Sequence, residues 1–305
     1  TFPNRARAYR LIAFISTYVS ALAIYLTATR FGLLGGDQAL MLSLLYLAYT
    51  GYHMNIDTVV GLQYTLPTAV FYTAVFMALS AYSQSGYTAW LLHVAAIALF
   101  LFSFNANSLL VYYFGFLGLS LWHLTGGEML RLFRAEVIFI TVIYGSLPFV
   151  FWTVKEALSP RHGDYAKYNK IGLDLRRFVE GYVHLMRYGV EAAITLPIRF
   201  VTANGWAWIS VFPGLFIYLL VEFYWGIPTL VLSRETSLSL LGFGLVLLNL
   251  AGLPYILVGQ RITDQGWGTK NSMLLHLPVA MIFLGLLTIL SADSQVIMGI
   301  LIFFI

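Results

Sequence analysis

His53 and Asp57 stand four residues apart in the run Tyr52-His53-Met54-Asn55-Ile56-Asp57-Thr58. On one helix they share a face, so the carboxylate can orient the imidazole for proton transfer or metal ligation. The same run also reads as a polar hairpin between two apolar segments, where its side chains meet water. Glu222 lies inside the apolar run Leu219 to Trp225. A carboxylate facing the inside of a helical bundle can exchange protons, whereas one near the bilayer surface is merely solvated. A third group joins His123 to Glu128 and Arg131, with Arg134 following, across Thr125-Gly126-Gly127. An acid and two guanidinium groups on a Gly-Gly turn suit an anionic headgroup or substrate, or form an ordinary exposed connection.

His53, Asp57 and Glu222 are therefore candidate substrate- or ion-binding residues. His123, Glu128 and Arg131 are candidate catalytic ones. His93 and His276 read as packing residues inside apolar segments, and Asn249 as an interhelical hydrogen-bonding residue. Pro67, Pro148, Pro213, Pro254 and Pro278 can kink helices or open the backbone. No HExxH zinc motif, phosphate-binding GxxxxGK[ST] loop or GxSxG nucleophile elbow occurs. The chain has no cysteine, which excludes disulfides, Cys-based zinc sites and thiol catalysis. No metal site and no cofactor is named by the sequence.

The elements that must position these residues follow from composition. Of 305 residues, 60% are hydrophobic and 10% charged, against about 25% charged in a soluble domain. Such a surface needs lipid. Ten apolar segments emerge, near 11–29, 38–54, 59–82, 88–104, 108–124, 136–154, 206–226, 236–259, 273–291 and 294–305. None alternates with period two as a membrane β-barrel strand does, and backbone in lipid must satisfy itself, which leaves helices. The expected fold is an all-α polytopic membrane bundle of nine to ten spans.

Charge orients it. With a cytoplasmic N-terminus, the inner side holds Arg5, Arg7, Arg10, Lys155, Arg161, Lys167, Lys170, Arg176, Arg177, Arg187, Arg199, Arg261 and Lys270. The outer side holds Arg30, Arg131, Arg134 and Arg234. This is a positive-inside bias. The seven tryptophans, Trp90, Trp122, Trp152, Trp206, Trp208, Trp225 and Trp267, fall at segment ends or in adjoining loops, as indole rings at headgroup level do.

Residues 155–205 form the one long connection, dividing a six-span region (1–154) from a three- to four-span region (206–305). Within it Leu175, Phe178, Val179, Tyr182, Leu185, Met186 and Val190 recur at helical spacing. Arg176, Arg177, Glu180, His184, Arg187 and Glu191 are expected to gather opposite. That pattern predicts a cytoplasmic amphipathic interfacial helix. The basic start and long apolar run after Arg10 read as a membrane helix rather than a cleaved leader. Both ends look cut, since the chain starts at Thr1 and stops inside the run to Ile305.

Three function classes fit: transport of a small solute or ion, a membrane-embedded enzyme acting on a lipid or lipid-linked substrate, or a non-catalytic subunit of a larger membrane complex. The partners expected are the lipid bilayer and, for the last class, other membrane subunits. The scattered basic residues do not suit nucleic acid.

Overall fold

The computed structural model describes residues 6–49, 61–126, 128, 134–158, 174–191, 195, 232–260 and 271–290. Among these residues the chain is helical, with α1 (Ala6–Arg30), α2 (Gly36–Ala48), α3 (Leu62–Tyr82), α4 (Gly86–Ser103), α5 (Ser108–Thr125), α6 (Ala135–Leu158), α7 (Leu175–Val190), α8 (Arg234–Leu257) and α9 (His276–Leu290). Six stretches are long and apolar enough to cross a membrane: α1, α3, α4, α5, α8 and Val137–Leu158 of α6. The protein thus has the helices of a multi-pass membrane protein. The shorter α2 overlaps the expected segment 38–54 and α9 falls within 273–291, while 206–226 and 294–305 lie outside the described residues.

Local signals set the boundaries. Ser233 caps α8, its hydroxyl accepting from the Thr236 N–H at 3.1 Å. Asp174 caps α7 through the Arg176 N–H at 3.0 Å. Such caps satisfy amides that the first helical turn leaves without partners. Gly126, with φ of 59°, ends α5 in the left-handed conformation that glycine adopts without steric cost.

Pairwise packing closes six helices into a ring: α1 on α3, α3 on α5, α5 on α8, α8 on α9, α9 on α2 and α2 on α1. The helices α4 and α6 pack outside it, α4 against α3 and α6 against α4 and α5. In an apolar solvent helices associate by close approach rather than by escape from water, so small residues matter at the contacts. Ala13, Ser16, Ser20, Ala23 and Thr27 make a buried stripe along α1 at alternating three- and four-residue spacing. Helix α3 likewise buries Ala74, Ala78 and Ala81. Between α8 and α9, Gly285 lies so near the Ser237 carbonyl that a Cβ would be 2.9 Å from its oxygen. The Thr288 hydroxyl bonds Ser237 Oγ at 2.9 Å there.

Two ends can be told apart. At one, Lys155 donates to Asn107 Oδ1 at 2.6 Å, tying the end of α6 to the α4–α5 turn. At the other, Arg30 lies over the Phe76 ring and Phe31 meets His123, joining the ends of α1, α3 and α5. Trp90, Trp122 and Trp152 are exposed within two turns of their helix ends.

Helix α7 presents three faces. Leu185 packs against Gly252, and Gly181 against Ile256, which lays α7 on the last turns of α8. A second face carries Arg176 and Glu180, paired at 2.8 Å. A third leaves Leu175, Val179 and Val183 exposed. Arg177 stands against Gly259, just past the end of α8, so it helps seat α7 as well as adding charge. Asn249 differs from expectation. Its amide donates to the Leu245 carbonyl one turn back in the same helix, instead of crossing to a neighbour. The intrahelical acceptor is always within reach, so the residue needs no partner helix.

Gly285→Ala is expected to destabilise the folded bundle by about 1–3 kcal/mol through overpacking. Gly118→Ala, with open space at its Cβ, should be neutral or slightly stabilising. Thermal unfolding of the two purified variants checks this; equal melting temperatures would contradict the close α8–α9 approach.

Candidate functional site

Four helices of the ring leave a small buried hollow toward the Lys155 end. Thr17 and Ser20 of α1, Tyr46 of α2, Thr65 and Thr68 of α3, Met273 just before α9 and His276 at its start line it. The space is about 10 Å³, roughly the room one water needs. Ser20, Tyr46, Thr65, Thr68, Met273 and His276 are all buried.

The imidazole is held by an accident of helix geometry. A helix leaves its last four carbonyls without an in-helix donor. Tyr46 is among the last four residues of α2, and its carbonyl lies 3.2 Å from His276 Nδ1. A carbonyl can only accept, so Nδ1 carries the proton and Nε2 is the ring's acceptor. Tyr46 and Tyr49 pack against the ring, at 5.1 and 4.7 Å between centroids. The Tyr46 hydroxyl in turn meets Ser20.

Polar groups continue along α3. The Tyr72 and Tyr112 hydroxyls are 3.3 Å apart, and Tyr72 stands edge-on to Tyr46. Nearer the Arg30 end a second cluster joins α3, α4, α5 and α6. His93 Nδ1 is 2.8 Å from the Tyr144 hydroxyl, the Tyr82 ring flanks both, and the Tyr82 hydroxyl faces Ser120. Tyr113 donates to the Tyr144 carbonyl at 3.0 Å.

An aromatic block stands between the two clusters. Phe100, fully buried, contacts Phe71, Tyr113 and Phe116 with centroids 4.8–5.5 Å apart. Phe71 also touches Tyr112 and Tyr113. These tilted and edge-on contacts are the favourable aromatic geometry. Apart from the Tyr112 and Tyr113 hydroxyls, which bond Tyr72 and the Tyr144 carbonyl, the block is hydrocarbon.

Of the sequence-derived candidates, His123 and Glu128 lie among the described residues. His123 sits in the last turn of α5, its ring 5.3 Å from Phe31. Glu128 is exposed in the turn after Gly126, its N–H donating to the Thr125 carbonyl at 3.2 Å. Both are remote from the hollow. His53, Asp57, Arg131 and Glu222 lie outside the described residues. His276 and His93, read as packing residues, are the imidazoles of the two clusters. A weak signal was present in the hydroxyl pairs Thr17/Ser20 and Thr65/Thr68, each three apart on an apolar helix. Hydroxyl residues are too common in such helices for the pairs to stand out. No group of three or more His, Cys, Asp or Glu suited to a metal occurs among the described residues.

No protein family, curated protein or solved structure matches this chain.

His276→Leu is expected to cost about 1–3 kcal/mol, because the Tyr46 carbonyl loses its donor in a buried site. His276→Gln, which keeps an N–H, should recover part of it. Melting temperatures in detergent would show the order parent, Gln, Leu; a Leu variant as stable as the parent rules out the bond.

Proposed function

We propose that this chain is an integral membrane protein that moves a small solute or ion across the bilayer. One observation carries the reading: a buried polar cluster inside the ring and a partly buried one shared by α3, α4, α5 and α6 flank the Phe71/Phe100 aromatic block. A path needs polar stations to offset the cost of leaving water and a barrier that prevents leak. Ordinary packing needs neither station. Prolines inside α3, α6 and α8 supply places where a helix can bend.

The finer topology belongs to the same proposal. Nine to ten spans run through the membrane with the N-terminus in the cytoplasm, as the positive-inside count requires. The Lys155 end is then cytoplasmic. Helix α7 lies in the cytoplasmic headgroup layer, its packed face on α8, Leu175, Val179 and Val183 toward acyl chains, and Arg176 and Glu180 toward water. His53, Asp57 and Glu222 remain candidate solute- or proton-coupling residues. The enzyme reading gains less support, since His123 packs on Phe31 and Glu128 is exposed.

The native chain has no cysteine, so single cysteines report orientation without background. Lys167→Cys should react with an impermeant maleimide only after cells are opened, and Gln84→Cys in intact cells. The reverse pattern would invert the topology. In reconstituted vesicles, Phe100→Ala is expected to raise solute leak severalfold. Parent and variant vesicles both as tight as protein-free ones, across cations, anions and neutral solutes, would end the transport reading.

A further inference from the structure

Pro254 gives α8 a weak point one turn from its end, and α7 lies across it. Proline has no N–H, so the Leu250 carbonyl loses its in-helix donor, and the ring crowds that carbonyl as well. A helix bends most readily at such a place. Helix α7 packs antiparallel on this stretch with every fourth residue. Leu185 fills the notch at Gly252, where a Cβ would overlap the leucine side chain. Gly181 lets Ile256 approach, its own Cβ position standing 3.4 Å from Ile256 Cβ. Arg177 lays its guanidinium against Gly259, beside the carbonyl end of α8, where positive charge complements the helix dipole. One contact falls before Pro254 and two fall after it. That is the arrangement of a splint.

The two halves of α7 have different surroundings. In the C-terminal half Leu185 and Tyr188 are buried. Gly189 faces Val279 of α9, and Tyr188 lies beside Tyr49 at the end of α2. Toward the other end Leu175, Val179 and Val183 are exposed, and their spacing of four sets them in one stripe. The Arg176–Glu180 ion pair borders that stripe. An apolar stripe edged by charge suits the boundary between headgroups and acyl chains. Tyr255, the residue after Pro254, meets Ser108 at the start of α5, next to the Asn107–Lys155 bond. A bend at Pro254 therefore works on the α5–α8 contact of the ring.

We infer that α7 is a strap over the Pro254 hinge, held down by lipid. Acyl chains taken up by Leu175, Val179 and Val183 keep α7 on α8 and hold the end of α8 in place, and loss of that lipid contact frees it to bend. The inference rests on the headgroup-layer placement of α7 proposed above and is independent of transport.

Distances across the hinge test it in the full chain, which has no native cysteine. Spin labels on Leu238→Cys and Val258→Cys bracket Pro254, and in phosphatidylcholine–phosphatidylglycerol vesicles pulsed EPR should give one narrow distance distribution. Leu185→Ala should widen it about twofold, as release of a proline-weakened helix would. Val179→Asp/Val183→Asp should widen it likewise, and Pro254→Ala should cancel both effects. The aspartate pair alters only exposed positions, so it carries the test even if Leu185→Ala fails to fold; melting temperatures verify folding. Widening that persists with Pro254→Ala marks a simple loss of packing and overturns the hinge. An unchanged distribution in the aspartate pair overturns the lipid-held strap. A bimane on Val183→Cys in vesicles with brominated acyl chains reports the placement separately. No quenching removes both the placement and the strap, whereas quenching with an unchanged distribution removes the strap alone.

Discussion

A polar hydrogen buried in an apolar bundle is stabilised by an acceptor inside the chain, and this preference shapes much of the protein. Water is not there to take it. In α1 the hydroxyls of Ser16, Thr17, Ser20 and Thr27 all turn back to the carbonyl one helical turn earlier. Ser43 in α2, Thr65, Thr68 and Thr73 in α3 and Thr141 in α6 do the same. A buried group left without a partner costs about 1–3 kcal/mol, whereas a made bond contributes about 1 kcal/mol net. The back-bond is short-range and always available, so it is the default. Its side effect is a set of oxygen atoms with their protons committed and their lone pairs unspent. Where two such helices face each other, as α1 and α3 do, those lone pairs meet across the gap.

Close packing supplies the second half of the arrangement. Serine and alanine along α1 and alanine along α3 bring the two backbones together, and glycine does so between α8 and α9. Beside the ring, where α3, α4 and α5 meet, large aromatic side chains gather instead. There Phe71, Phe100, Phe104, Tyr113 and Phe116 interlock. The hollow lies where the hydroxyl residues of α1 and α3 meet Tyr46, Met273 and His276. His276 fits the hollow because α2 ends there with carbonyls that its own amides cannot reach. A histidine at the start of α9 answers a defect at the end of α2.

The helical architecture was legible in the chain because lipid imposes a coarse rule: apolar runs of sufficient length, charges between them, tryptophan at the ends. Runs 11–29, 59–82, 88–104, 108–124, 136–154 and 236–259 each overlap, to within a few residues, a described helix long enough to cross a membrane. The periodicity over 175–190 likewise foretold a helix. It did not foretell that the apolar residues would divide, with Leu185 turned to α8 and Leu175, Val179 and Val183 left exposed. The hollow was legible only as two undistinguished hydroxyl pairs. Its residues come from positions 17 to 276, none is charged, and hydroxyl, phenol and imidazole side chains occur throughout the chain. Sequence reasoning ranks residues by how unusual they are in lipid, which selects carboxylates such as Glu222 and local pairs such as His53/Asp57. A site assembled from ordinary residues by long-range packing carries no such mark.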